Sequence, residues 1–395
     1  MANRQLSFMT ACDIGDSLIT IDEFGIGMFR IDKNDMSSHL IAELEDRGKW
    51  PNRYRAAELC DNEIFFFPAL ISIEYKVIVY HLDSRKVEYL DLRSISDDIV
   101  GDYEPLYRLG NCIWMFPREL TRDLIRFQLD TRKITVIPQW KNAVKNINLD
   151  YTDPWAKTGD PVEVQNVLYQ MIRGTNRMLE IDKKNCNVEC HTIPVDAKLY
   201  IRMDYDGEKF WIAECNDKGV VSWDPVTQKA QRYSIIFPKE EKKQYDWIGH
   251  ILCGARYLWL IPQRDKTIIR MNYESGEYEY ISIFPSKFQV RKGNNQVFGL
   301  IEKNGDIADL YPFFGNLIIH LDLKNDILLE NYEQIVLPCE WSEPDIYHYQ
   351  MRHEYETERV PFDAYIDFLS QTVHQKKNKE GNGTIGEDIW RQIRA

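Results

Sequence analysis

The chain has 395 residues, with 49 Lys and Arg against 62 Asp and Glu, for a net charge of −13. Apolar residues make up 44% and charged residues 28%, which excludes wholesale disorder and leaves room for one large domain or two ordinary ones. The acidity argues against a nucleic-acid protein, which needs a basic face, and disfavours an anionic membrane surface.

Aromatic residues reach 12%, with only 20 Gly and 16 Pro, a balance that suits strands better than a helical bundle. The opening MANRQLSFMTACD has no apolar run of secretory length. Residues 64–82, the most apolar stretch, are broken by Pro68, Glu74 and Lys76 and read as two strands rather than a membrane span. The expected location is cytoplasmic. The eight cysteines contain no CxxC pair, and Cys186 and Cys190 have no second pair to complete a zinc site, so reduced thiols and no metal or other cofactor are expected.

Along the chain one short phrase recurs: apolar, polar, apolar, then Asp or Asn. It reads FRID, YHLD, FQLD, LEID, VSWD, IRMN and IHLD, closing at Asp32, Asp83, Asp130, Asp182, Asp224, Asn272 and Asp322. Spacings of 51, 47, 52, 42, 48 and 50 average about 48 residues, in the range of propeller blades. A period of two puts the first and third residues of each phrase on one strand face. The closing Asp or Asn starts a turn, where its side chain accepts from backbone amides two residues on. A second phrase precedes the first: SLITID, IFFFP, IWMFP, FWIAE and LWLIP. Shorter apolar segments precede that, including YRAAELC, LYRLG and IGHILCG. About four strands per unit and seven units predict an all-β, seven-bladed β-propeller over residues 1–338.

The units IWMFP…LIRFQLDTRKITVI and LWLIP…IIRMNYESGEYEYI resemble those of bacterial seven-bladed propellers of the streptogramin-lyase type. The likeness is architectural. The Gly-Pro-His blade signature of that lyase is absent, so the resemblance implies the fold and no catalytic residue. The Gly-His openings of WD repeats and the Gly-Gly pairs of kelch blades are missing too.

Two regions break the repeat. Residues 140–163 read as a long insertion after the third unit, and the inner strand of the fourth blade is hard to locate there. Residues 339–395 form a tail. Pro361, Phe362, Tyr365, Ile366, Leu369 and Val373 have helical spacing. Thr384 to Glu387 reads as a capping box before Ile389, Trp390 and Ile393, which either pack on the propeller or dock a partner.

Propeller ligands gather where loops meet the central channel. Loops after the second strand of each unit supply Glu74, Arg118, Glu119, Arg122, Glu214, Asp217, Arg264, Asp265 and Tyr311 as candidate ligand- or partner-binding residues. The sequence does not say which channel mouth they occupy. Glu119 and Glu214 are the one pair considered for glycoside hydrolysis. His348 and His353 fit no metal motif, and no P-loop, GxGxxG or GxSxG occurs. The expected function is therefore a binding or scaffold protein for a protein partner or a small polar ligand such as a sugar. The alternative is a lyase or carbohydrate-active propeller enzyme.

Overall fold

Each repeated phrase becomes a strand because both of its faces have a neighbouring blade to pack on. The computed structural model describes residues 8–22, 27–44, 54–68, 76–96, 99, 102–147, 158–215, 218–237, 247–263, 265–282, 297–312, 317–329 and 333–336. They form seven antiparallel sheets, each of four strands in sequence order, at residues 8–43, 54–91, 103–137, 158–192, 199–234, 248–282 and 298–334. These are blades 1 to 7 of a β-propeller. In blade 7 the fourth strand comes in two pieces, Ile327–Leu328 and Glu333–Gln334, both paired to Leu317–Asp322. The helical tail foreseen from sequence, with Ile389, Trp390 and Ile393, lies outside the described residues, as does the domain boundary at 338.

The core is divided between successive blades. Phe65, Phe67, Val77 and Val79 of blade 2 pack with Ile113, Met115, Ile125 and Phe127 of blade 3. The alternate residues Ile64, Phe66, Ile78 and Tyr80 turn the other way, onto Ile19, Ile21 and Met28 of blade 1. This is why the middle strands read as unbroken apolar runs: a strand covered on both faces has no polar side. In blades 2 to 7 the first and third residues of the phrase meet the preceding blade, as with Leu179 and Ile181 against Trp114 and Phe116, or Ile269 and Met271 against Trp211. A fully buried Phe is worth about 1.5–3 kcal/mol, so the blades hold one another and no single one carries a core of its own.

The closing Asp or Asn makes the predicted turn in five blades. Asp182 accepts from the amides of Lys184 and Asn185 at 2.7 and 3.0 Å. Asp224 does so from Val226 and Thr227, and Asn272 from Glu274 and Ser275. Asp32 and Asp322 follow the same pattern. Four residues after each lies a left-handed residue: Met36, Cys186, Gln228, Gly276 and Asp326. Blades 2 and 3 use a tighter turn, with the left-handed residue only two positions on, at Arg85 and Arg132.

The insertion is less irregular than its sequence. Residues Gln139–Val144 form a helix whose Trp140 is fully buried, donating Nε1–H to the Leu120 carbonyl at 3.3 Å and meeting Phe116 edge-on. Residues 158–164 supply the missing inner strand of blade 4: Thr158 pairs with Ile172, and Val162–Val164 with Val167–Tyr169. The ring then closes where Val336 bridges to Ser37. Its amide donates to the Met36 carbonyl at 2.8 Å, and its carbonyl accepts from the Ser38 amide at 2.9 Å and from the Ser38 hydroxyl at 2.6 Å.

Candidate functional site: one end of the central channel

The seven innermost strands run in the same direction around the channel, so their two ends define two different mouths. At the far end each strand turns back through a short hairpin, such as Asp61–Asn62 or Gly110–Asn111. At the near end each receives the connection from the preceding blade, and the loops between second and third strands open on the same face. The structure thus separates the two mouths that the sequence leaves equivalent.

At the loop-bearing end every inner strand slips register against its neighbour. The slips fall between Phe8 and Ala11, at Arg55, at Glu104–Pro105, between Thr158 and Val162, between Leu199 and Met203, at Gly249 and at Gly299. A β-bulge gives up ladder pairing and re-aims the residues it contains. Seven of them in one layer build a collar, and its charged members come from the bulges. Arg55 of blade 2 lies 3.9 Å from Glu104 of blade 3. Arg202 of blade 5 donates from a terminal nitrogen to Asp160 of blade 4 at 2.8 Å. Only glycine fits beside that pair: a Cβ on Gly159 would stand 1.9 Å from the Ile201 carbonyl oxygen.

His250 follows the bulge of blade 6. Enclosure by the strands, together with the guanidiniums of Arg202 and Arg55, holds its imidazole well below the ordinary histidine range, so it is neutral near pH 7. Arg173 stacks over Tyr200, 5.2 Å from the ring centroid, beside the same collar. The buried Nε of Arg202 has no hydrogen-bond partner, and neither do the buried Thr158 Oγ1 and Gln170 Oε1 in the adjoining blade 4.

The opposite end carries acids. Glu58 meets Arg108 at 2.8 Å, yet burial raises its carboxyl. Burial and the neighbouring Asp309 and Asp13 push Glu302 up to about 7, while Tyr311 hydrogen-bonds it. Asp204 accepts from the Cys253 amide at 2.7 Å and from Lys303 at 3.1 Å. Cys12, buried among these carboxylates, is pushed up to about 12 and is an inert thiol.

The candidates drawn from sequence are scattered. Tyr311 is buried beside Glu302, on the strand next to the channel. Arg118 follows the second strand of blade 3 and is tied by its amide to the Asp102 carbonyl at 2.9 Å. Glu119 and Arg122 form an exposed pair at 3.5 Å. Asp265 caps its own turn, accepting from the Thr267 amide at 2.9 Å. Glu214 is buried and bound by both oxygens to Arg232 of the outermost strand, at 2.6 and 3.1 Å, so the structure does not bring it to Glu119. Glu74, Asp217 and Arg264 lie outside the described residues. Sequence reasoning missed Arg55, Glu104, Asp160, Arg202 and His250. For all of these but Asp160 the signal was a charged or imidazole side chain near the start of a mostly apolar inner strand, in YRAAELC, YEPLYRL, LYIRMDY and IGHILC.

The fold is that of a seven-bladed β-propeller. No protein-family model matches the chain, and no curated protein matches it in sequence. Among solved structures it is similar to virginiamycin B lyase from Staphylococcus aureus, with 11% identity and a TM-score of 0.52 over 79% of this chain and 93% of that one. It is also similar to the extracellular domain of the putative one component system BT4673 from B. thetaiotaomicron, with 14% identity and a TM-score of 0.54 over 80% of this chain and 38% of that one. A third is YCF48 bound to D1 peptide, at 9% identity and a TM-score of 0.51 over 78% and 90%. At these identities the likeness is one of fold.

Proposed function

We propose that this protein is a non-catalytic binding module that receives a protein segment or a small polar ligand, such as a sugar, at the loop-bearing mouth of its channel. The observation that carries the reading is the collar of seven bulges, whose charged members form the pairs Arg55–Glu104 and Arg202–Asp160 across neighbouring blades. Mixed charge on a rigid scaffold, ringed by loops, is the build of a recognition site. The cytoplasm is the proposed location; among the described residues no helix is long and apolar enough to cross a membrane.

The test is a stability screen of the full-length protein against defined probes: neutral sugars, sugar acids, free amino acids, and acidic and basic peptides. At least one probe should raise the melting temperature of the wild type and leave an R55Q/R202Q variant unmoved. A probe that shifts both proteins equally would remove the collar from the reading.

A lyase or carbohydrate-active enzyme is the second reading, since His250 puts a neutral imidazole at the collar, although burial and the guanidiniums of Arg202 and Arg55 make it a weak base. Against it, the nearest collar carboxylates, Glu104 and Asp160, are committed to Arg55 and Arg202. Chemical conversion of any probe in the same screen would put the enzyme first.

A further inference from the structure

We propose that the wall between blades 7 and 1 is a proton-controlled latch: it holds the ring shut while Glu302 keeps a proton and loosens when Glu302 gives that proton up. The proposal does not rest on the binding-module reading.

The side chains that line this wall follow from the period of two. In blade 7, Ala308, Leu310, Ile319 and Leu321 pack backward on blade 6. The residues between them, Asp309 and His320, therefore point forward, toward blade 1. The strand register sets Glu302, Asp309 and His320 opposite one another in a single row across the blade. Residues paired in this way stand about 5 Å apart, and like charges so placed repel. His320 Nδ1 meets Asp309 at 2.7 Å. In blade 1, Cys12 and Ile19 pack forward on blade 2, which turns Asp13 back toward blade 7. The inner strands Phe8–Asp13 and Phe298–Asn304 lie side by side. Glu302, Asp309 and Asp13 thus meet at one wall.

The neighbouring bases are engaged elsewhere. Lys33 pairs with Asp13 in its own blade. Lys303 reaches away from the wall to Asp204 of blade 5 at 3.1 Å. Lys324 and Asp306, in the turns of blade 7, pair with each other at 3.7 Å. Beyond Cys12, Arg108 holds Glu58 at 2.8 Å. The wall between blades 2 and 3 answers the same arrangement with a base. There Glu63 and His81 are paired as Asp309 and His320 are, and the left-handed turn residue of blade 3, Arg132, crosses to bind Glu63 at 3.2 Å. The left-handed turn residue of blade 1 is Met36, which is buried and brings no charge.

An ionised Glu302 therefore adds a like charge opposite Asp309 and facing Asp13, whereas a protonated one adds none. Burial first, then Asp309 and Asp13, push its carboxyl up to about 7, against the opposing pull of Lys33 and Tyr311. Because this folded-state value lies above the unfolded one, the wall is tightest below about pH 4.5 and weakens as pH rises through about 7. The same wall is fastened farther out by Val336, which bridges to Ser37 and donates its amide to Met36. Opening it exposes those bonds while the other blades stay folded.

Hydrogen exchange at the Ser38 and Val336 amides should be followed in the full-length protein from pH 5.5 to pH 8.5, with the chemical exchange rate divided out. The opening constant at both should rise about tenfold over that range. In E302Q, which keeps the shape of the side chain and cannot ionise, the rise should shrink to about twofold or less. D13N, which removes the facing charge of blade 1, should reduce the rise and lower the Glu302 carboxyl pKa read by carbon NMR. H320N should leave the rise in place, which separates Glu302 from the imidazole in the same row. Val220 and Leu260, in the wall between blades 5 and 6, should change by about twofold or less in every case.

Four results would each overturn the proposal: no rise in the wild type, a full rise in E302Q, a rise lost in H320N and kept in E302Q, or an equal rise at Val220 and Leu260. Should E302Q fail to fold, the wild type and D13N decide. A Glu302 carboxyl that titrates at the ordinary glutamate value in the wild type, or a rise unchanged in D13N, would then sink the latch.

Discussion

The carboxylate of Asp326, in the last turn of blade 7, accepts from the backbone amide of Arg256 in blade 6 at 2.8 Å. It is 1% exposed, its other oxygen reaches the Trp259 indole at 3.4 Å, and its own carbonyl accepts from Arg270 at 2.7 Å. One turn residue thereby fastens two blades. Arg132 does the same between blades 3 and 2, spanning Glu88 at 2.7 Å and Glu63 at 3.2 Å.

Asp326→Ala should destabilise the protein by about 2–3 kcal/mol, because it strands buried donors and leaves a β-carbon residue in a left-handed conformation without its hydrogen bonds. Asp326→Asn keeps an acceptor and tolerates that conformation, so it should cost less than half as much. Urea unfolding of the two variants separates these values. Equal losses would show that the carboxylate oxygens are not what joins the blades.

Glu214 and Arg232 make a second test. The pair spans the third strand of blade 5, where a Cβ on Gly219, at φ +137°, would stand 2.0 Å from the Tyr233 carbonyl oxygen. Arg232→Ala leaves a buried carboxylate unpaired and should cost about 1–3 kcal/mol, discounted because Arg232 itself is half exposed. In a double-mutant cycle with Glu214→Gln the coupling should be about 1–2 kcal/mol. A coupling near zero would reduce the pair to a surface contact.

Glu302 predicts a pH dependence. Its folded-state pKa, about 7 against an ordinary 4.5, lies above the unfolded value, so the native state binds more protons between those limits. Stability from this group is present below about pH 4.5 and falls as pH rises through 7. Glu302→Gln should therefore be more stable than wild type at pH 8, by about 1–2 kcal/mol, with the difference gone by pH 4.5. Chemical unfolding across pH 4.5–8 reads this directly, and a wild-type advantage at pH 8 would contradict it.

The closure of the ring offers a fourth test. Val336→Pro removes the amide that donates to Met36 without emptying the core, since the Val336 side chain is more than half exposed. The expected cost is about 1 kcal/mol, concentrated at the seam. Hydrogen exchange should quicken at Ser38, whose amide faces the Val336 carbonyl, before it does at Val79 or Ile125. Uniform acceleration across all blades would mean that the seam is not a separable unit.

The fold was legible because its rule is local. An apolar pair such as Phe127 and Leu129, spaced by two and followed by an Asp, announces a strand and its end, and it does so seven times. Blade 4 hid its inner strand because Gly159, Asp160 and Pro161 interrupt the alternation that Val162 and Val164 resume. The channel was illegible for a related reason. A bulge shifts the register by one or more residues, so period-two reading assigns Arg55 and Arg202 to the wrong side of their strands. The loop residues chosen instead, Glu119 and Arg122, look the same in sequence whether they face a ligand or water.

Among the described residues every blade is cut from one continuous stretch of chain, and only the Val336–Ser37 bridge crosses the seam. The hydrogen-bonded ladders are therefore indifferent to where along the circle the chain starts. A permuted chain that opened at blade 2 and finished with blade 1 would keep every sheet whole, provided a linker joined blade 7 to blade 1. The order of the units is dictated by side chains at their shared walls, so whole units, rather than single strands, are the natural pieces to exchange in building related rings.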